Sequence, residues 1–577
     1  MKNLFTYLKN YKKETILAPL FKMLEATFEL FVPLVMAAII DTGIAKKDEA
    51  YIFSMSGILI ALGLTGLVCS ITAQYFSAKA ACGFAAKIKE VLFNKMQGMS
   101  YTQIDRAGAS TMINRMTTDV NQVQTGVNMV LRLFLRSPFI VFGAMIMAFT
   151  IDVKAALIFV AVIPVLSVIV FGIMMLTIPL YKKVQKQLDY VLEKTRESLT
   201  GIRVIRAFGK EEEETQEFDE RNNCLTKFQQ YVGKISALMN PVTYVVINAG
   251  ILALIYIGAL RVESGILTQG AVVALYNYMS QILVELIKLA NLIITMTKSM
   301  ASAQRIAGIF EMAEETVVLK SEETKEPLSD EYKVIFENVS FSYENAGEYA
   351  LTDIDFKVKK GETIGIIGGT GSGKTSLVHL IPAFYQAEKG SVYIDGKNVQ
   401  DYNSEKLREK IGIVMQKSVL FQGTIRENIL WGNKSASDSE ILEAIETAQA
   451  GDILQKKEQG LNEWIEQGGR NLSGGQRQRL SIARALVRKP EILIFDDSAS
   501  ALDYATDAAL RKALQKLDYH PTVFIVSQRT SSIMHADKII VLDDGHIEGI
   551  GTHAELLENC LVYKEIYDSQ FKKEAAS

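Results

Sequence analysis

The sequence predicts an all-α domain of six membrane-spanning helices followed by an α/β domain. Up to about Met300 the chain carries long apolar runs with almost no charge, whereas the remainder alternates short apolar strands with charged helical stretches. A chain of 577 residues is also too long for a single hydrophobic core. We therefore assign residues 1–310 to the membrane domain, 311–332 to a charged linker and 333–577 to the α/β domain.

The membrane domain is predicted from six apolar segments that are each long enough to cross a bilayer. A spanning helix needs about 20 mostly apolar residues, because the hydrocarbon core is ~30 Å thick and each residue rises ~1.5 Å. The segments that meet this length cover residues 16–40, 52–77, 130–151, 155–178, 241–260 and 270–297. Short links alternate with two long polar connections. A soluble helical protein could not easily bury segments of this length.

The orientation follows from the two long connections, which hold most of the Lys and Arg of this half and are therefore cytoplasmic, together with both termini. The N-terminal stretch "MKNLFTYLKNYKKE" is basic and amphipathic, and the apolar run after it is too long for the core of a signal peptide. It predicts a helix lying on the cytoplasmic membrane surface.

Each long connection contains a glycine between two strongly helical flanks. Gly108 lies in Arg106–Asp119, "RAGASTMINRMTTD", and Gly201 lies in Glu197–Glu213, "ESLTGIRVIRAFGKEEE". Glycine breaks a helical run and permits a reversal, so each segment could press a transverse helix onto a cytoplasmic partner. Plain solvated loops remain the alternative.

Composition argues against two classes of protein. The net charge of -3 shows no overall basic bias, so we expect no nucleic-acid partner. The four cysteines are far apart and fit neither a metal site nor a paired-thiol motif, which predicts reduced packing residues. They are Cys69, Cys82, Cys224 and Cys560.

The second half contains a glycine-rich phosphate-binding loop. In "ETIGIIGGTGSGKTSLVHLI" an apolar strand leads into Gly368–Thr375, which matches all fixed positions of the eight-residue motif. The glycines let backbone N–H groups converge on phosphates, Lys374 reaches the terminal phosphates, and the Thr375 hydroxyl is offered to magnesium. The predicted nucleotide contacts here are Gly368, Gly369, Thr370, Gly371, Ser372, Gly373, Lys374, Thr375 and Ser376.

A second phosphate-seeking helix end lies about 100 residues downstream, in "NLSGGQRQRLSIARALVRKPEILIFDD". Its first turn comprises Ser473, Gly474, Gly475 and Gln476, whose backbone donors and helix dipole favour an anion. One domain cannot easily fold both helix ends around one phosphate.

The combination resembles the nucleotide-binding domain of ATP-binding cassette (ABC) proteins, in which the signature of one domain closes on nucleotide held by a second domain. The resemblance runs from Val334 to about Tyr567 and implies ATP and Mg²⁺ as cofactors. It implies that Tyr343 stacks on adenine and that Thr375, Gln416 and Asp496 hold magnesium. Ser500–Asp503, "SALD", matches the loop that crosses the dimer interface.

The first half resembles the six-helix membrane domain of ABC exporters, including two cytoplasmic hairpins with coupling helices. The resemblance therefore covers nearly the whole chain. A half-transporter of this kind must dimerise to form a translocation path and two nucleotide sites.

Two residues depart from the family pattern in one site. Asp497 stands where the family normally has the glutamate that positions water, and Gln528 replaces the switch histidine. Loss of both predicts the degenerate-site half of a heterodimer, whose partner half-transporter supplies Glu and His. A working homodimer that tolerates Asp497 remains the alternative.

Charged residues within the spans allow two interpretations. They could form ion pairs, or they could line a path for cationic amphipathic cargo. Glu25 and Glu29 share a face of span one, Arg132 and Arg136 share a face near the start of span three, and Glu285 and Lys288 lie three residues apart on span six. Soft side chains that could help bind cargo are Met145, Phe149, Met174, Tyr244, Tyr276 and Met279.

These observations predict ATP-driven export of drugs or other amphipathic compounds across the bacterial cytoplasmic (inner) membrane. Lipid or peptide export by a homodimer is one alternative. A non-transporting ABC-type regulator, which binds ATP and moves nothing, is another.

Overall fold

The computed structural model describes residues 4, 6–312, 331–344 and 346–571. The predicted linker, 311–332, lies mostly outside the described residues. The chain forms two compact units, Met1–Gln97 with Ala109–Met312 and Gly98–Gly108 with Ala313–Ser577. The domain division drawn from the sequence stays a prediction, and it did not anticipate that the segment 98–108 groups with the second unit.

Residues 6–312 are helical almost throughout. The helices are α1 Lys12–Ala38, α2 Glu49–Gln97, α3 Tyr101–Ala107, α4 Ala109–Asn114, α5 Val120–Leu133, α6 Arg136–Ile151, α7 Val153–Thr200, α8 Ile202–Phe208, α9 Glu211–Ala237, α10 Met239–Glu263 and α11 Gln269–Glu311. Among the residues that the structure describes, six helical stretches are long and apolar enough to span a membrane. They contain the six predicted segments, so the six-span prediction is confirmed.

Small and aromatic side chains build the core of the membrane unit. Ala144 and Ala148 of α6 and Ala156 of α7 are completely buried, and such small residues let helix backbones approach closely. Tyr278 of α11 is also fully buried, and its hydroxyl donates to the carbonyl oxygen of Leu30 in α1 at 2.6 Å. This hydrogen bond joins the first and last spans.

Both predicted helix breaks mark helix ends. Gly108 follows α3 with φ +73°, a conformation that L-residues rarely adopt, and Gly201 separates α7 from α8. The short helix α4 lies within the segment Arg106–Asp119, whereas a second short helix, α3, begins before that segment and was not expected. The difference arises because α3 packs within the second unit, where the Tyr101 ring stacks on Phe384 with centroids 4.2 Å apart.

The second unit is an α/β domain with three sheets. Its strands are β1 Tyr332–Phe341, β2 Leu351–Lys359, β3 Thr363–Gly368, β4 Lys389–Ile394, β5 Lys397–Asn398, β6 Ile411–Val414, β7 Gly423–Thr424, β8 Trp464–Ile465, β9 Ile492–Asp496, β10 Thr522–Val526, β11 Lys538–Asp543 and β12 His546–Gly551. Its other helices are α12 Lys374–Leu380, α13 Ser404–Glu409, α14 Ile425–Leu430, α15 Asp438–Thr447, α16 Gly451–Gln455, α17 Gly474–Leu486, α18 Tyr504–Leu514, α19 Thr530–Ile533, α20 His553–Asn559 and α21 Leu561–Phe571.

The central sheet has the strand order β12-β11-β3-β10-β9-β6, and all neighbours except β11 and β12 are parallel. Strands β9 and β10 are buried along their whole length, as expected for a parallel sheet covered on both faces. Because β3, β10 and β9 are adjacent, their carboxyl ends meet at one edge. Ligands of open α/β sheets bind at this edge.

Candidate functional site

The phosphate loop follows β3 at the carboxyl edge of the central sheet. Gly371 and Gly373 both have φ +89°, so a side chain at either position would strain the backbone. The Lys374 ammonium lies over the loop, with Nζ 3.0 Å from the carbonyl oxygen of Gly368 and 3.2 Å from Ser372 Oγ. Burial lowers the pKa of Lys374, an effect that nearby carboxylates oppose.

Thr375, near the start of α12, and Asp496, at the end of β9, lie side by side. Thr375 Oγ1 donates to Asp496 Oδ1 at 2.8 Å, and Asp496 is only 1% exposed at the end of β9. A hydroxyl beside a carboxylate suits Mg²⁺, which takes few protein ligands and keeps phosphate oxygens and waters. Among the described residues no group of three His, Cys, Asp or Glu side chains could form an all-protein cage. The residues present therefore fit magnesium bound together with a nucleotide.

The side chain of Asp497 accepts a hydrogen bond from Gln416, the glutamine predicted to bind magnesium. Gln416 Nε2 donates to Asp497 Oδ2 at 3.2 Å, and the Asp497 backbone N–H donates to the carbonyl oxygen of Val526 at 3.0 Å. The backbone of Asp497 is left-handed, with φ +46°. Burial raises the pKa of the Asp497 carboxyl above its usual value, and the hydrogen bond from Gln416 opposes that rise. A short carboxylate thus occupies the place next to Asp496.

Gln528 is fixed through its backbone only. Its side chain is exposed, and its carbonyl oxygen accepts a hydrogen bond from Gln570 Nε2 at 2.8 Å. Within residues 346–571, no hydrogen bond joins the Gln528 side chain to Asp497. The structure therefore brings Asp497 and Gln416 together and leaves the Gln528 amide apart from them.

Tyr343 lies beside the start of α12. Its hydroxyl is 2.8 Å from Ser376 Oγ, and its ring meets Tyr385 edge-on at 5.3 Å between centroids. The tyrosine is 36% exposed, so part of its ring remains open to a ligand. This arrangement fits an aromatic that stacks on a base next to the phosphate loop.

The signature turn caps α17. Ser473 Oγ accepts from the Gln476 backbone N–H at 3.3 Å, and Gln476 Oε1 accepts from the Ser473 N–H at 2.9 Å. A side chain at Gly474 would meet open space, whereas one at Gly475 would lie 3.1 Å from the carbonyl oxygen of Ala501. In the described part of the chain no hydrogen bond links this turn to the phosphate loop, so its open face is free for a ligand held elsewhere.

His379 was not anticipated as a neighbour of the magnesium pair. Its Nε2 lies 3.5 Å from Asp496 Oδ2, and the side chain is buried. The sequence held a signal for it, because Thr375 and His379 are four residues apart on one helix and share a face.

The charged side chains of the spans form a closed network around Glu285. Its carboxylate accepts from Arg136 at 2.6 Å, from Ser137 at 2.7 Å and from Lys288 at 2.8 Å. The other nitrogen of Arg136 donates to Glu29 at 2.6 Å. These contacts favour ion pairing for Glu29, Arg136, Glu285 and Lys288.

Glu25 and Arg132 behave differently from their neighbours in the sequence. Glu25 pairs with Lys22 at 2.5 Å, one turn earlier on α1, and not with an arginine. Lys22 also donates to Ser70 Oγ at 3.1 Å. Arg132 Nε is buried without a hydrogen-bond partner among the described residues. Of the soft side chains considered for cargo, Met174 and Met279 are buried, whereas Tyr244 and Tyr276 are exposed.

Family models match both halves of the chain. The model described as ABC transporter transmembrane region covers residues 15–286, and the model described as ABC transporter covers residues 351–500. The ABC transporter ATP-binding protein YfiB of Bacillus subtilis is 36% identical over 579 residues and covers 100% of both chains.

Two further relatives carry descriptions of a cargo. The putative multidrug export ATP-binding/permease protein YgaD of Bacillus subtilis is 32% identical and covers 99% of both chains. The ATP-dependent lipid A-core flippase of Yersinia pestis is 29% identical over 99% of this chain and 97% of its own. A bacterial Atm1-family ABC exporter with ATP bound has a similar fold, with a TM-score of 0.80 at 22% identity and 98% coverage of both chains.

Proposed function

The chain belongs to the ABC transporter family, as a half-transporter that fuses a multi-pass membrane domain to an ATPase domain, and from this we propose that it is the degenerate-site subunit of a heterodimeric multidrug exporter. The observation that carries the proposal is the pair Asp497 and Gln528. Both stand at positions where the family normally has the residues that place the attacking water, while the residues predicted to bind nucleotide are all retained in the sequence.

The chemistry of the two residues supports a slow site. Asp497 is one methylene shorter than glutamate, and a misplacement of about 1 Å lowers a rate by roughly 100-fold. The Gln528 amide can hydrogen-bond a phosphate but cannot take up a proton as imidazole does. Mg²⁺ bound with the nucleotide would neutralise phosphate charge. Lys374 and Thr375 would hold the phosphates and the metal, while water at Asp497 would be poorly placed.

The intact signature supports a partner with a competent site. Ser473 and Gly474 present a hydroxyl and backbone donors on an open helix end, and these would contact ATP held by the phosphate loop of the second half-transporter. That partner would supply Glu and His at the positions of Asp497 and Gln528. This chain would then bind ATP stably in one site and complete the active one.

Cargo and orientation are part of the proposal. The YgaD relative supports an amphipathic drug-like cargo, and the flippase relative supports lipid export as a second candidate. The concentration of Lys and Arg in the long connections supports a cytoplasmic ATPase domain and cytoplasmic termini, with the spans in the bacterial inner membrane. Uptake of a cationic dye and of a labelled lipid into inverted vesicles separates the two cargo classes.

Steady-state ATPase of the purified complex tests the division of labour. We expect Asp497→Ala to lower activity by less than about threefold, and Ser473→Ala to lower it by more than ~10-fold. Replacing the partner's glutamate with glutamine should nearly abolish activity. A stable, transport-competent homodimer of this chain would contradict the proposal. A loss for Asp497→Ala as complete as for the partner variant would do so too.

A further inference from the structure

Gln570, a residue of α21, forms two hydrogen bonds to the backbone of the loop that carries Gln528. Gln570 Nε2 donates to the carbonyl oxygen of Gln528 at 2.8 Å, and Gln570 Oε1 accepts from the backbone N–H of Thr530 at 2.8 Å. The two bonds lie on either side of Arg529, so one side chain fixes both flanking peptide units. Thr530 is the first residue of α19, where the N–H has no partner within the helix.

The helix that bears Gln570 is anchored independently of the nucleotide site. Tyr563 of α21 is fully buried, and its hydroxyl lies 2.7 Å from His553 Nδ1. Tyr567 and Phe571 stack with ring centroids 4.5 Å apart on the same helix. Gln570 is thus presented from a packed element, which is what a side chain needs if it is to hold a loop in one position.

Arg529, between the two gripped residues, reaches the loop that follows Asp497. Its Nη1 donates to the carbonyl oxygen of Leu502 at 3.1 Å and its Nη2 to that of Ser500 at 3.3 Å. The guanidinium also lies over the Tyr504 ring, 5.0 Å from its centroid. Ser500 in turn donates through Oγ to the carbonyl oxygen of Asp497 at 2.8 Å. Gln570 is therefore connected to Asp497 through hydrogen bonds and through the residues that carry them, Arg529 and Ser500.

We propose that Gln570 is a positioning residue for ATP hydrolysis. By bonding to the backbone on both sides of Arg529, it fixes the backbone of Gln528 and, through Arg529, the loop from Asp497 to Leu502. Within residues 346–571 no hydrogen bond joins Gln570 to the phosphate loop, so we expect it to act on turnover and not on nucleotide binding. The role concerns the site described above and rests on ATP hydrolysis by this family, but not on whether the partner is a second chain or a second copy. If the proposal is right, Gln570 affects the rate of ATP hydrolysis through its two hydrogen bonds and not through the volume of its side chain.

The test replaces Gln570 in full-length protein purified with any half-transporter that accompanies it. Gln570→Met keeps the length of the side chain and the packing of α21 but removes both hydrogen bonds. We expect kcat for ATP to fall by roughly 1.5- to 3-fold, no further than in Asp497→Ala, while KM stays within about twofold. Ser569→Ala is the matched control, because among the described residues Ser569 Oγ bonds only to the Ile566 carbonyl of its own helix, at 2.7 Å. This variant should leave both constants unchanged.

Gln570→Glu separates the two bonds. It keeps an acceptor for the Thr530 N–H but places a carboxylate against the Gln528 carbonyl oxygen, so kcat should fall at least as far as in Gln570→Met. Hydrogen exchange provides a readout independent of yield: the amide of Thr530 should exchange faster in Gln570→Met, while amides of β3 should not change. Unchanged kcat in Gln570→Met would overturn the proposal, and so would a lowered kcat with unchanged Thr530 exchange. Because each result is a ratio to the unmutated protein, failure of the heterodimer proposal leaves this test intact.

Discussion

Two carboxylates, Glu285 buried in the membrane half and Asp497 half-buried in the ATPase half, are held in opposite ways. Glu285, 3% exposed in the membrane half, accepts from Arg136, Ser137 and Lys288. Asp497 in the ATPase half accepts at its side chain from Gln416 alone among the described residues, at 3.2 Å. A carboxylate has room for about four hydrogen bonds, so the first is close to saturated and the second is not.

The difference separates a structural charge from a functional one. A buried ion with all its partners fixes the packing of helices and has no capacity left for a ligand. A carboxylate with one amide partner, whose pKa is raised by burial, still has lone pairs to offer to water. Changes at the two sites should therefore affect different measurements.

The largest effect is expected from Arg136→Met. This variant leaves Glu29 and Glu285 without their shared cation, and breaking a buried pair on one side costs about 3–5 kcal/mol. We expect a much lower yield of folded protein and a lower thermal unfolding midpoint in detergent. Lys288→Met is the control, because Lys288 is half-exposed and Glu285 keeps two partners. Equal midpoints for both variants would show that the network does not hold the helices.

Restoring the family residues at positions 497 and 528 should increase turnover at the site proposed to be slow. Asp497→Glu combined with Gln528→His lengthens the carboxylate and returns a side chain that takes up protons, so hydrolysis at this site should rise by roughly 10- to 100-fold. The measurement is ATPase of the complex with the partner's glutamate replaced by glutamine. Gln528→His alone should give little gain. If the double variant shows no gain, Asp497 and Gln528 do not limit hydrolysis at this site.

A smaller effect is expected from the double change Glu25→Gln and Glu29→Gln. Because both carboxylates already have basic partners, transport per folded complex should fall by no more than about threefold, equally for cationic and neutral dyes. Comparing the two dye classes in the same vesicles checks this. A selective loss of cationic dye would instead make these carboxylates part of the cargo path and break the comparison.

The smallest effect is expected at His553. Its ring has fewer polar partners than Glu285, but it is packed against other rings in a way that Asp497 is not. Burial lowers its pKa below 6.5, with a further contribution from His535, and its other neighbours are the hydroxyl of Tyr563 and the ring of Tyr567. A lowered folded pKa means that docking of α21 is stable above about pH 6.5 and weakens as the pH falls through the folded pKa. Hydrogen exchange of residues 561–571 should therefore accelerate slightly below pH 6. His553→Gln should remove that pH dependence.

The parts of the fold that local sequence determines were predictable. The spans follow from apolar runs, and the phosphate loop follows from the fixed spacing of Gly368 and Lys374. The ion pair of Glu25 with Lys22 is also local, since the two residues are three apart on one helix, but the sequence did not show which basic residue Glu25 would pair with. The position of α3 depends on Phe384, and the grip on Gln528 depends on Gln570. Such contacts join residues far apart in the chain, and no local pattern reports them.

The left-handed backbone of Asp497 has a consequence for stability. Aspartate tolerates φ +46° better than most residues, yet it still costs energy there that glycine would not. Asp497→Gly should therefore raise the free energy of unfolding of the ATPase domain by up to about 1 kcal/mol while it removes the carboxylate. A single substitution would then make the protein more stable and less active. This trade-off is expected where a residue needed for activity is held in a strained backbone conformation.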